Sequence, residues 1–346
     1  MIAAAVSGVL SVGCEEVTPP PKPTPPPPAG FELYSLAGDD QHRLKSNDVY
    51  HVFVDSSDRI WFSTDQGVSM RDGNADMVNF DDFDGIPNRF CRSIGELNGR
   101  IYVGTWGGGA AVYDDTTWTP LPVDFSGDAG LVDLRVQSVI SDGTSMWFGT
   151  INGLSRYLDG PGLTDDQRWS NHTNKMGSSR VISQLTFQAG TTRGDELWVS
   201  TKDGGITVIR NGGTSWTRYT AGTTGLREND VTGTAYSPTN DVFWVSAATT
   251  GASTVDVDAA TWSYLSTTDG LASNLAMGVA VRDMNGTEEM WLATQTGLSL
   301  VQPTKIVNYL KGSNLPSERL RCVTADKNGQ IWACFIEEGV GRLTDY

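Results

Sequence analysis

Four arginines stand at equivalent points of a repeated pattern and are the first candidates for binding chemistry. Each comes just before an apolar run predicted to form an inner strand: Arg89, Arg135, Arg180 and Arg319. If those strands surround one channel, we expect the guanidinium groups to converge near it. A guanidinium fork matches a carboxylate or sulfate bidentately, so such a cluster favours an anionic ligand. The alternative is that each arginine bonds nearby loop carbonyls or acids.

Trp106 is the second candidate, because it lies in the glycine-rich stretch GTWGGGA (104–110). It falls in the loop after a predicted second strand, where no other repeat has an aromatic residue. A tryptophan flanked by glycines can stack on a sugar ring. It can equally pack over the channel mouth, and the sequence leaves both interpretations open.

Signals for catalysis or metal binding are weak. The three histidines, His42, His51 and His172, are scattered, and no C-x-x-C pair or D-x-[DN]-x-[DN]-G run occurs. A lyase would need a histidine acid or base, yet none stands just before an inner strand, and His51 is expected in the core. We therefore expect no metal and no cofactor, and a hydrolase or lyase is a weaker hypothesis than a binding protein.

Two cysteines, Cys322 and Cys334, flank a hairpin centred near Asn328. They are expected to face each other across two strands, either as a disulfide or as two buried thiols. Cys91 has no evident partner, and we expect it to be buried and inert.

The first thirty residues are expected to be a targeting signal followed by a linker. Residues 2–13 form a short apolar run ending in small residues, and Cys14 follows at once. The run from Leu10 to Cys14 resembles a bacterial lipobox, although Ser11 stands where leucine is usual. We expect a signal peptide over 1–14 with a lipid on Cys14; the alternative is a plainly secreted chain. The proline-rich linker, 15–30, is expected to be extended, its prolines reaching roughly 30 Å.

The rest of the chain is organised by an internal repeat that contains an aromatic anchor in a short apolar strand. Each copy divides into four strands of about five residues, separated by Gly and Asn turns. This pattern predicts an all-β fold, a seven-bladed β-propeller of four-stranded antiparallel blades over residues 31–346. The anchors, expected to be core residues between blades, are Trp61, Tyr102, Trp147, Trp198, Trp244, Trp291 and Trp332.

Counting the outer strands predicts how the ring closes. Six anchors are followed by an outer strand, but only one strand follows the seventh, Trp332. The segment FELYSL (31–36) has the outer-strand pattern and no blade of its own. We therefore expect the N-terminal strand to complete the C-terminal blade.

The phrase running from Asn47 through Asp55 and Trp61 to Gly67 resembles the two-component regulator propeller repeat. That resemblance implies a propeller typical of the periplasmic sensor regions of hybrid histidine kinases, often for glycan fragments. No kinase region or transmembrane helix is evident in this sequence, which favours a stand-alone lipoprotein.

The formal net charge of −16 disfavours nucleic-acid binding. We expect a monomeric, non-catalytic, ligand-binding or sensor propeller in the cell envelope, periplasmic or on the surface, for an anionic glycan or peptide. The alternative is a scaffold for a protein partner in the envelope. Contact with the membrane is expected only through the lipid anchor.

Overall fold

Short strands dominate the computed structural model, which describes residues 30–127, 129–284, 287–312 and 315–344. The first fifteen strands are β1 (Phe31–Tyr34), β2 (Val49–Val54), β3 (Ile60–Thr64), β4 (Gly67–Arg71), β5 (Val78–Phe80), β6 (Cys91–Leu97), β7 (Arg100–Thr105), β8 (Ala110–Tyr113), β9 (Trp118–Pro120), β10 (Val136–Ser141), β11 (Ser145–Thr150), β12 (Gly153–Leu158), β13 (Trp169–His172), β14 (Ile182–Thr191) and β15 (Gly194–Thr201). The others are β16 (Gly205–Arg210), β17 (Ser215–Tyr219), β18 (Val231–Ser237), β19 (Val242–Ala247), β20 (Gly251–Asp256), β21 (Thr261–Leu265), β22 (Ala276–Met284), β23 (Thr287–Thr294), β24 (Gly297–Gln302), β25 (Lys305–Tyr309), β26 (Leu320–Ala325), β27 (Ile331–Phe335) and β28 (Gly339–Leu343).

The strands form seven four-stranded antiparallel sheets, one per blade. Six sheets are consecutive, from β2–β5 in blade 1 to β22–β25 in blade 6. The seventh has the order β1-β28-β27-β26, so the N-terminal strand completes the last blade, as predicted. The helical pieces are one turn of α-helix, α1 (Asp165–Arg168), and 3₁₀ turns at Asp82–Asp84, Asn211–Gly213 and Thr267–Asp269.

Two opposite faces of the ring carry different connections. The mouth face, as we call it, carries the loops that lead into each inner strand and the loops between second and third strands. The turn face carries the hairpins between first and second and between third and fourth strands. Both follow from antiparallel order, because successive strands run in opposite directions.

Residues of the repeat form hydrogen bonds and close contacts that hold the loops of each blade. Thr64 Oγ1 donates to the carbonyl of Gly67 (2.9 Å) and closes the loop between the second and third strands of blade 1. Gly67 has φ 132°, and a Cβ there would lie 2.1 Å from the Phe80 carbonyl oxygen, so only glycine fits. On the turn face, the indole N–H of Trp61 donates to the buried carboxylate of Asp55 (2.8 Å). Blades 3 and 7 repeat this indole bond, at Trp147–Asp142 and Trp332–Asp326.

Six of the seven anchors are at most 2% exposed, as predicted for core residues between blades. Trp61, for example, packs on Ile94 and Ile101 of blade 2. Trp244 is the exception, because it is only half-buried and borders a groove between blades 5 and 6 beside Met290. Trp244 packs against the core between blades 5 and 6, so its predicted position holds, but it is less buried than the other anchors.

Cys322 and Cys334 are direct cross-strand partners of β26 and β27 and form a disulfide. Cys91 is a buried free thiol, and burial raises its pKa. The predicted signal peptide, the lipid site at Cys14 and the linker up to residue 29 lie outside the described residues. In the described part of the chain, no helix is long and apolar enough to cross a membrane.

Candidate functional site

The central channel is a cavity bordered by all seven blades. It has a volume of about 760 Å³, and every inner strand contributes to its wall. Volumes of about 300–1,000 Å³ are usual for sites that bind small ligands. The channel therefore has the size of a ligand site.

A β-bulge recurs near the start of every inner strand. In blade 1, Val49 pairs with Thr64 and His51 pairs with Ser63, so Tyr50 is the extra residue. The same shift occurs in the other six blades. Because the bulge residues all line the channel, they form a ring of seven side chains at its mouth: Tyr50, Arg92, Gln137, Ser183, Thr232, Met277 and Arg321.

Two arginines of this bulge ring lie against one tyrosine. The Cζ atom of Arg321 is 4.1 Å from the ring centroid of Tyr50, and that of Arg92 is 4.4 Å from it. Blades 7, 1 and 2 supply these three residues. Two cations therefore contact the same aromatic ring in one part of the mouth.

Of the two arginines, Arg92 has the positive charge that is less neutralised by neighbouring groups. Its Nε donates to Oε1 of Gln137 (3.0 Å), and its Cζ lies 5.5 Å from the Phe90 ring and 5.4 Å from the Trp106 ring. Among the described residues, no carboxylate lies within 4.0 Å of its guanidinium. Burial, with repulsion from Arg321, lowers the pKa of Arg92.

Arg321 has one acidic neighbour. Its Nη2 lies 2.7 Å from Oδ1 of Asp48, the residue just before the inner strand of blade 1. Asp48 thus neutralises one of the two cations. Among the described residues, an anion at the mouth would find Arg92 without a carboxylate partner. Arg321 is already paired with Asp48.

Trp106 lies beside this group. Its backbone N–H donates to the carbonyl of Phe90 (2.7 Å), and it forms an isolated bridge with Arg135 of blade 3. The half-buried indole borders the Arg92 side of the mouth. The structure therefore brings Trp106 together with Arg92 of the bulge ring.

The four predicted arginines are placed differently from expectation. All four are exposed, and they are absent from the described channel wall. Arg89 pairs with Asp82 (2.7 Å) and Arg135 with Asp133 (3.1 Å), while Arg180 donates to Asn152 (3.3 Å). Asp82, Asp133 and Asn152 thus hold three of the four side chains on the rim. Because of the bulge, the side chain that lines the channel belongs instead to a residue two or three positions further along the chain.

His51 follows the bulge of blade 1 and also borders the channel. The backbone N–H of Ile94 in blade 2 donates to its Nδ1 (3.2 Å), so this nitrogen carries no proton. Burial lowers the pKa of His51 to about 4. The equivalent residues of blades 2, 3 and 4 accept the same inter-blade bond: Ser93, Ser138 and Gln184. His51 is thus a structural acceptor within a repeated inter-blade contact.

Groups of three or more His, Cys, Asp or Glu side chains arranged to hold a metal ion do not occur in the described ranges. The polar groups at the mouth are guanidinium, amide and hydroxyl groups, with Asp48 and Asp65 as nearby acids. This chemistry suits an anion better than a metal cation.

The family model of the two component regulator propeller matches residues 43–66, which include the inner and second strands of blade 1. The chain carries the two-component regulator propeller repeat. Asn47 of this regulator propeller repeat accepts the backbone N–H of Leu36 (2.6 Å), and its own carbonyl accepts that of Gly339. The matched motif therefore also joins blade 1 to blade 7.

Solved structures with a similar fold come from proteins with different roles. The extracellular domain of the hybrid two component system BT3049 from B. thetaiotaomicron has a TM-score of 0.67 at 15% identity, over 88% of this chain. PorZ, a surface component of the type-IX secretion system of Porphyromonas gingivalis, has a TM-score of 0.67 at 17% identity, over 90%. Streptogramin B lyase has a TM-score of 0.65 at 16% identity, over 91% of this chain and 97% of its own.

This chain spans 40% of the BT3049 chain and 48% of the PorZ chain. At such low identity the likeness establishes the fold, since one fold hosts many functions. No curated protein matches the sequence of this chain.

Proposed function

We propose that this protein is a non-catalytic, ligand-binding or sensor propeller that takes an anionic ligand at the channel mouth. The observation that carries the proposal is Arg92, a half-buried cation among three aromatic rings with no carboxylate partner among the described residues. A second cation, Arg321, contacts the same Tyr50 ring. A carboxylate or sulfate that pairs with Arg92 would offset the repulsion from Arg321 and accept charge-assisted hydrogen bonds.

The aromatic rings around Arg92 define the rest of the ligand. Trp106 and Phe90 border the same part of the mouth and offer faces to an apolar or saccharide ring. An anionic glycan fragment satisfies both features, and an acidic peptide with a ring side chain is the second candidate. Four arginines predicted from the sequence lie on the rim, outside this group of contacts: Arg89, Arg135, Arg180 and Arg319.

The chemistry of the mouth favours binding over catalysis. Burial raises the pKa of Tyr50, so its phenol keeps its proton near neutral pH. His51 has its Nδ1 engaged by the Ile94 N–H. A sensor role agrees with the likeness to the extracellular domain of a two component system.

An envelope location is part of the proposal. Cys14 follows an apolar run and precedes a proline-rich stretch, the arrangement of a lipid-anchored domain on a spacer. We expect Cys14→Ala to release the protein from the membrane fraction of its host. If wild type and variant fractionate alike, the lipid anchor is wrong, whereas the ligand site is unaffected.

Titration calorimetry against acidic oligosaccharides, acidic peptides and their neutral counterparts tests the ligand site. We expect binding of one acidic class only, weakened about tenfold by Trp106→Ala through lost stacking. Arg180→Gln, which removes a rim arginine held by Asn152, is the matched control and should bind as wild type. Equal binding of neutral counterparts, or no binding across the panel, would overturn the proposal.

A further inference from the structure

Four of the anchor tryptophans share the same two charged neighbours, an arginine and an acid. The Cζ atom of the arginine lies between 5.1 and 5.8 Å from the centroid of the indole ring. The indole N–H donates to the carboxylate. A guanidinium beside an indole is attracted by the negative face of the ring. The four anchors are Trp61, Trp147, Trp291 and Trp332.

Trp244 of blade 5 lacks both neighbours. Strand pairing equates Thr254 with Arg156 of blade 3, since each is the third-strand partner of its anchor tryptophan. Pairing of the first two strands likewise equates Ser237 with Asp142, the acid of blade 3. Among the described residues, no cation lies over the Trp244 ring and no acceptor binds its indole N–H. Blade 5 therefore keeps the anchor but not the cation that accompanies it elsewhere.

A groove of about 550 Å³ lies between blades 5 and 6 at this point. Thr254 and the half-buried Trp244 line it, together with the apolar side chains of Leu265, Met290 and Ile306. A concave, mainly apolar site with a few polar groups is the usual form of a ligand site. The groove shares no described lining residue with the central channel, so it is a separate site.

Glu288 of blade 6 supplies a carboxylate to the wall of the groove. Its Oε2 accepts from the Ser237 hydroxyl (2.5 Å) and the Asn240 amide (2.6 Å), which are both neutral donors. Its Oε1 is buried and has no hydrogen-bond partner in the described chain. Among the described lining residues, the acids are Glu288 and Asp269 and the cation is Lys305, which is exposed and pairs with neither. The negative charge of Glu288 is therefore not neutralised by a cation within 4.0 Å.

We propose that the groove between blades 5 and 6 binds a guanidinium group on an aliphatic stem, either an arginine side chain of a peptide or a free alkylguanidine. The group takes the place that Arg156 has in blade 3 and Arg342 has in blade 7. It lies over Trp244 and pairs with the Glu288 carboxylate, because a planar guanidinium suits both an aromatic face and a carboxylate. Its aliphatic stem covers the apolar wall of the groove. This site is independent of the channel mouth, which favours an anion.

Titration of the full chain with two small probes tests the charge that the groove requires. The probes are N-acetyl-arginine amide and N-acetyl-citrulline amide, which has a similar shape and no charge. We expect the arginine probe to bind at least tenfold more tightly, since citrulline offers no cation to Trp244 and Glu288. The peptide Gly-Gly-Arg-Gly-Gly distinguishes the two sources of the guanidinium. Tighter binding than the arginine probe would assign a peptide, and equal binding would assign a free guanidine.

Three variants locate the binding of the arginine probe. Thr254→Arg copies blade 3 and fills the groove from within, so it should abolish binding without lowering the melting temperature. Glu288→Gln should weaken binding about tenfold. Glu338→Gln, which removes an exposed acid from the loop between β27 and β28, is the matched control and should bind as wild type. No binding, equal binding of the citrulline probe, unchanged binding by Thr254→Arg or an equal loss in Glu338→Gln would each overturn the proposal.

Discussion

The guanidinium of Arg321 lies against the ring of Tyr50, with its Cζ atom 4.1 Å from the ring centroid. This contact joins the last blade to the first, because Arg321 belongs to β26 and Tyr50 to β2. Cation and ring meet only when the sheet order β1-β28-β27-β26 closes the circle. The proposed site therefore depends on the closure of the fold, and its arginines depend on one tyrosine for their position.

Substitutions of Tyr50 separate the role of its ring from that of its hydroxyl. Tyr50→Phe keeps the face that both guanidinium groups contact, so we expect ligand affinity within about twofold of wild type. Tyr50→Ala frees both arginines, and affinity should fall about tenfold, equivalent to about 1.4 kcal/mol. Calorimetry with the acidic ligand measures both values. If Tyr50→Phe also loses tenfold, the hydroxyl and not the ring holds the site.

The His51 contact predicts a pH-dependent stability. The folded-state pKa of His51 is lowered to about 4 from 6.5, so the unfolded chain takes up this proton at the higher pH. Stability from this group is complete above pH 6.5 and is lost as the pH falls towards 4, by at most about 1.4 kcal/mol per pH unit. Denaturant unfolding across this range measures the loss.

Replacing His51 by the acceptor of another blade isolates that effect. His51→Gln copies the solution used at Gln184, where Oε1 accepts the Thr234 N–H (2.8 Å). The variant should be less sensitive to pH between 6.5 and 4 than wild type. Parallel pH profiles for the two proteins would show that His51 is not the group responsible.

The disulfide between Cys322 and Cys334 predicts a redox-dependent stability. A cross-link that closes a loop of 12 residues stabilises a protein by about 3 kcal/mol, mainly by restricting the unfolded chain. Reductant should therefore lower the free energy of unfolding of wild type and of Cys91→Ala by this amount. The double variant Cys322→Ala, Cys334→Ala should be weaker from the start and insensitive to reductant. A reductant-insensitive wild type would mean that both thiols are free.

Closure by β1 predicts different outcomes for two truncations. Tyr34 of β1 is fully buried and contacts Trp332 of blade 7 and Phe62 of blade 1. A chain starting at Gly38 lacks these contacts and leaves β28 as an open edge, so its melting temperature should fall by roughly 5–10 °C and it should self-associate. A chain starting at Gly30 is the control. Equal melting curves for the two would contradict closure by β1.

Much of the fold was predictable because the same sequence pattern recurs once in every blade. Trp61, Trp198 and their equivalents recur at the same position of each second strand. Burying a large aromatic side chain at that position requires the same arrangement of strands around it in each blade. The displaced segment at residues 31–36 was visible by counting outer strands. The lower burial of Trp244 was not predictable, since its sequence context matches the others, whereas its exposure depends on how blades 5 and 6 meet.

The site was predicted only in part. Alignment pointed to residues just before each inner strand, such as Arg89 and Arg319, and these remain on the rim. Arg92 and Arg321 reach the channel because a bulge adds a residue, which is a property of strand pairing and not of one strand's sequence. A usable signal was present: the residue after the first buried apolar residue of each inner strand varies from repeat to repeat.

In the proposed site, Arg92 and Arg321 together bind the anionic group of the ligand. Calorimetric titration of the double variant Arg92→Gln, Arg321→Gln tests it most directly, beside the rim control Arg89→Gln, Arg135→Gln. Loss of charged hydrogen bonds worth about 1.5–3 kcal/mol should weaken the bulge-ring variant about 10- to 100-fold and leave the rim variant near wild type. If the rim variant loses binding and the bulge-ring variant keeps it, the ligand sits on the rim and the account of the channel mouth is wrong.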